Sequence, residues 1–253
     1  MRRTAVDQRE RRAWPRLARV LGIVALALLA AAPVADAFCL RSPQVFFNAA
    51  PLQAYLNAVD GGINVTTDQQ DAQTLSPPVG SGPSWDLLLL LREATQAQAL
   101  GLYNAASASD PPQLFPVFPA TALPGSYALC HINASGSLIV FLFDPNNVFL
   151  GQNTYTGFDV SHFGFYAESG TTRIYQQDSR NGNRPQLLTF LGTGSEYGDL
   201  LICFEDAPYS PSATFISALI DLTQPSEAPS WQVPCLPTPA RASSWGRLKS
   251  IYR

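Results

Sequence analysis

The apolar residues of this chain fall into short runs with two different spacings. Leu52, Tyr55, Leu56 and Val59 recur at i, i+3, i+4 and i+7, with Pro51 at a first turn and Gly61-Gly62 beyond the end, which predicts a helix over 51–59. From residue 86 onward the runs are short, rich in aromatic and branched residues, and separated by turn chemistry. They predict strands over 86–92, 99–104, 113–118, 126–132, 138–144, 162–168, 172–177, 186–192, 199–205 and 214–222. Asp110-Pro111-Pro112 and Asp144-Pro145-Asn146-Asn147 read as turns, and Asn181-Gly182 as a hairpin turn. The run LIVFLF over 138–143 is apolar on both faces and is expected mid-sheet. Many short strands without alternating helices predict an antiparallel sandwich or barrel rather than a parallel α/β sheet.

The first 37 residues carry a different pattern. Seven arginines between Arg2 and Arg19 precede the apolar run Val20–Ala32, and Ala35-Asp36-Ala37 has small residues flanking a cleavage position, so 1–37 reads as a secretory signal peptide. The run is shorter than the roughly 20 residues that span a bilayer. Residues 38–223 then form the β domain. From Gln224, five prolines break any regular element, and 224–253 reads as a Pro-rich, basic C-terminal tail.

Composition narrows the chemistry. Only 14% of residues are charged and 46% are hydrophobic, enough for a buried core. The net charge of −3 becomes −7 once the signal is removed, with nine basic against sixteen acidic residues. That excludes the basic footprint of a nucleic-acid binder. Four cysteines, all in the exported part, predict two disulfides among three possible pairings, of which Cys39–Cys235 with Cys130–Cys203 is the preferred one.

Catalytic readings of the sequence are poor. Asp159, Ser161 and His162 hold the residue types of a hydrolase triad, but neighbours on a strand point to opposite faces, and no G-x-S-x-G elbow is present. His131 and His162 are expected to be structural. Trp85, Tyr155, Tyr209 and Trp231 could form a stacking platform for sugar rings.

The order LQAYLNAV, W-DLLLLLREA, ALGLYNA, HFGFYAES, RIYQQDSRNGN and LLICFED resembles a bacterial family of exported proteins of unknown function, many with PEP-CTERM sorting tails. The resemblance implies a jelly-roll-like domain, a cell-surface or extracellular setting and calcium. In that family FED is followed by D-x-D-[FY]-N-D. Here Phe204, Glu205 and Asp206 match FED, while Ser212, Thr214, Ile216 and Ser217 stand in the acidic and amide positions. Glu205, Asp206 and Asp199 are the remaining candidate metal ligands, a depleted set for an ion that takes six to eight oxygens. Without a metal, Glu205 and Asp206 are expected to accept backbone hydrogen bonds after the strand. The expected function is therefore that of an exported, non-catalytic surface or matrix protein of interaction type, without a cofactor. Its partner is a surface or matrix component, with glycan binding as the alternative.

Overall fold

The computed structural model of the chain describes residues 39–76, 84–93, 98–193 and 199–223. The expected signal, the Pro-rich tail, Trp231 and Cys235 lie outside the described residues. One helix, α1 (Ala49–Val59), precedes eleven strands among the described residues: β1 (Ser84–Arg92), β2 (Ala99–Asn104), β3 (Leu114–Phe118), β4 (Tyr127–Ile132), β5 (Leu138–Phe143), β6 (Phe149–Tyr155), β7 (Phe163–Ser169), β8 (Thr172–Tyr175), β9 (Leu187–Leu191), β10 (Leu200–Phe204) and β11 (Ala218–Thr223). They build two antiparallel sheets, one of seven strands ordered β6-β5-β4-β1-β11-β10-β9 and one of four ordered β3-β2-β7-β8. The fold is an all-β sandwich with one short helix, and no described helix is long and apolar enough to cross a membrane. The nested pairing of β1 with β11 and β2 with β7 is the jelly-roll-like part of its topology.

Alternation along each strand explains the layers. In β1, Trp85, Leu87 and Leu89 point between the sheets and are buried, while Ser84 and Asp86 point outward. Trp85 stacks on Phe163 of β7, centroids 5.8 Å apart, and this aromatic contact ties the sheets together. β10 is buried along its whole length because both of its faces are covered. Leu200, Ile202 and Phe204 face the other sheet; Leu201 and Cys203 face a second core beneath α1. Leu52 and Leu56 of α1 are fully buried there, with Phe47 packed edge-on against Phe215 at 5.1 Å. The expected helix is thus present, and its spacing identified the buried pair.

On the far side of the four-stranded sheet, tyrosines lie over glycines. Gly101 of β2 is paired with Tyr166 of β7, and Tyr103 with Gly164. A Cβ at Gly101 would come within 2.7 Å of the Tyr166 ring, and one at Gly164 within 2.8 Å of the Tyr103 ring. The missing side chains make room for the rings. Arg180 covers Tyr103 and Tyr175, its guanidinium 5.6 and 5.9 Å from their centroids.

Three expectations about local structure are corrected. β6 was not predicted, because FLGQNTY holds Gly and Asn and is exposed over most of its length; pairing with β5 makes it a strand. Asn181-Gly182 is not a hairpin turn. A 3₁₀ turn, Asp178–Asn181, ends at Gly182 with φ 67°, and the chain crosses there from β8 in one sheet to β9 in the other. The last strand starts at Ala218 rather than 214, because Phe215 takes φ 55° and breaks extended geometry. Ile216 therefore leaves the face of Ala218, Ile220 and Leu222 and packs on the core beneath α1.

Candidate functional site

The FED segment ends β10 and organises the loop before β11. Phe204 is buried in the inter-sheet core. Glu205, 5% exposed, accepts hydrogen bonds at Oε2 from the backbone N–H groups of Thr214 (2.7 Å) and Phe215 (3.0 Å), and at Oε1 from Ala207 (3.3 Å). A buried carboxylate held by three amides is a strong, charge-assisted arrangement, and it stabilises the unusual φ of Phe215. Asp206 and Ser217 bond reciprocally: the Asp206 N–H donates to Ser217 Oγ at 3.0 Å, and that hydroxyl donates to Asp206 Oδ1 at 2.7 Å. Gln186 completes the loop by donating to the carbonyls of Glu205 and Ala207.

Asp199 does not join them. It precedes β10 while Glu205 and Asp206 follow it, a separation of about 20 Å along an extended strand. The three candidate ligands are thus not brought together, and no group of three or more His, Cys, Asp or Glu side chains among the described residues could hold a metal ion. Ser212 bonds Ser210 through their hydroxyls, 2.8 Å apart, and Thr214 contributes its N–H to Glu205.

The cysteine expectation is corrected in part. Cys130 and Cys203 are buried and free. They face opposite sides of the seven-stranded sheet, one in the inter-sheet core and the other beneath α1, with β1 and β11 between their strands. That spacing is about 14 Å, far beyond disulfide reach. Burial pushes both thiols above their ordinary range. Cys39 is disulfide-bonded.

Asp159, Ser161 and His162 do come together, because they sit in a turn before β7 rather than on a strand. Ser161 Oγ donates to Asp159 Oδ1 at 2.6 Å and lies 3.0 Å from His162 Nδ1, while that same nitrogen is 3.7 Å from Asp159 Oδ2. A triad places the imidazole between the other two, using both ring nitrogens. Here the serine contacts the carboxylate directly, and the Ser161 N–H also donates to it, closing the turn. His131 is hydrogen-bonded through Nδ1 to Ser84 Oγ at 2.8 Å.

The expected aromatic platform is dispersed. Trp85 is buried, Tyr155 donates to the Pro116 carbonyl and Tyr209 to that of Phe46. A different row exists that the sequence reading missed. On the outer face of β4 to β6, Leu129 pairs with Phe141, His131 with Ile139, Tyr127 with Phe143, and Phe143 with Phe149. Tyr127 and Phe143 stack at 4.6 Å, and Phe149 follows at 5.6 Å. At the hairpin end Val148, Phe149 and Leu150 are 55%, 54% and 56% exposed. The other half of that face, on β9 to β11, is sealed by α1 and its cluster. The signal lay in LIVFLF: its odd positions, Ile139, Phe141 and Phe143, form an apolar outward face that only period-2 reading separates from the core.

No protein-family model matches the chain, and no curated protein or solved structure is similar to it.

Proposed function

We propose that the chain is an exported, non-catalytic binding protein of the cell surface, extracellular matrix or periplasm, which engages its partner through the outer face of β4, β5 and β6. The observation that carries this reading is the asymmetry of the seven-stranded sheet. One half of its outer face is covered by α1, while on the other an aromatic row runs out to a hairpin whose three consecutive apolar residues are more than half exposed. Contiguous exposed apolar surface of this kind is the usual mark of an interaction site. Export is supported by the Arg-rich start, the apolar run and the Ala35-Asp36-Ala37 pattern, and by a disulfide at Cys39, a bond of oxidising compartments.

Glycan binding is favoured as the partner chemistry by one feature: Phe149 presents an exposed ring, with Asn147 beside Tyr127 and Gln152 and Thr154 farther along β6 supplying polar groups. The test is retention of the purified mature chain on surface and matrix material from the producing cells, alongside a glycan array. Phe149→Ala, an exposed change, is expected to melt with the wild type yet lose retention at least tenfold. Equal retention of both proteins would overturn the reading.

A further inference from the structure

Each sheet of the sandwich ends in two edge strands, and an edge strand offers a row of unpaired backbone N–H and C=O groups to any other chain. Three of the four edges are blunted. Along β9, the segment through Gln70 pairs with Thr189, the Gln70 N–H donating to the Thr189 carbonyl at 2.8 Å. β8 is only four residues long, carries Arg173, and has the N–H and C=O of Tyr175 taken by the Asn181 side chain. β3 holds Pro116, which has no N–H to give and whose carbonyl accepts from Tyr155.

β6 has none of these devices. It is seven residues long, holds no proline and no charged residue, and Gln152, Asn153 and Thr154 are exposed. Its one irregularity is a bulge at the hairpin end, where Phe149 and Leu150 together oppose Phe143. From Gly151 to Tyr155 the strand pairs regularly with β5, and alternate backbone groups on its other side have no partner among the described residues. Charge and symmetry select the occupant. The mature chain carries a net charge of −7, so two copies repel each other over most of their surfaces, whereas β5 and β6 bring no charge to a contact. A second copy laid antiparallel against Gly151–Tyr155 is self-complementary. With Asn153 on the two-fold axis, Gln152 lies opposite Thr154 of the second copy, a polar cross-strand pair, and the exposed Leu150 of each copy sits at one end of the new ladder.

We propose that β6 is a homodimerisation edge: two copies pair their β6 strands antiparallel around Asn153, joining their seven-stranded sheets into one continuous sheet. The axis runs perpendicular to the sheet, so both aromatic rows lie on the same side. The contact is made by the strand edge rather than the outer face, and the inference stands without the reading of that face.

The test is sedimentation equilibrium of the purified mature chain and its variants at micromolar concentration. Asn153 shares a side with Val140 yet is exposed, so a longer side chain there does not enter the core. The wild type is expected at twice the mass of one chain. Asn153→Lys and Asn153→Asp each set like charges across the axis and should weaken association at least tenfold with unchanged circular dichroism, while an equimolar mixture of the two sets opposite charges there and returns to the dimer. Phe149→Ala is expected to stay dimeric, so association and partner retention are read separately. A wild type that sediments as one chain, single variants at Asn153 that remain dimeric, or a mixture that stays monomeric would each overturn the proposal.

Discussion

At the scale of single residues, Glu205 shows why an acidic side chain at the end of a strand need not be a ligand. Its carboxylate replaces water around three backbone amides in a buried loop, so removing it leaves those donors unsatisfied. Glu205→Ala should lower unfolding free energy by about 2–3 kcal/mol in urea titration, and Asp206→Ala, at a half-buried site, by about 1 kcal/mol. This role was legible, since a carboxylate after a strand commonly accepts backbone hydrogen bonds. The triad-like contacts of Ser161 were not, because strand alternation does not apply within a turn. Nor was the state of Cys130 and Cys203: an even count of cysteines carries no information about which face of a sheet each occupies. With their thiolate forms disfavoured by burial, both should resist alkylation in the native protein and become labelled only on denaturation, without any reductant. Peptide mapping after each treatment gives the answer.

Among the elements, those with a strong period were readable and those made by context were not. Leu52 and Leu56 announced their burial through helical spacing, and Leu56→Ala should cost about 2–5 kcal/mol as a cavity beneath α1. β6 had no period to read, because its strand character comes from the β5–β6 hairpin and not from its own side chains. The tyrosine–glycine pairs of β2 and β7 form a third case, in which sequence shows each glycine but not the ring that needs its space. Gly164→Ala should destabilise the fold by about 1–3 kcal/mol or more, whereas Gly136→Ala meets no neighbouring atoms and is strained only by its φ of 77°. Thermal melts of the two variants against the wild type separate overpacking from backbone strain.

For the whole molecule, an all-β sandwich was legible from short aromatic runs and turn residues, and the two-sided burial of β10 follows from a third, partial layer that only the folded chain reveals. That layer is also what divides the outer face of the large sheet into a sealed half and an open one. The sealed half, β9–β11 under α1, contributes to the core, and the open half, β4–β6, is the face proposed for interaction. Hydrogen–deuterium exchange of the purified protein, free and mixed with surface or matrix material of the producing cells, tests this division most directly. The expected result is new protection over β4–β6 and the 144–150 hairpin, with exchange in α1 unchanged. Protection spread over α1 and β9–β11, with none at the hairpin, would contradict it.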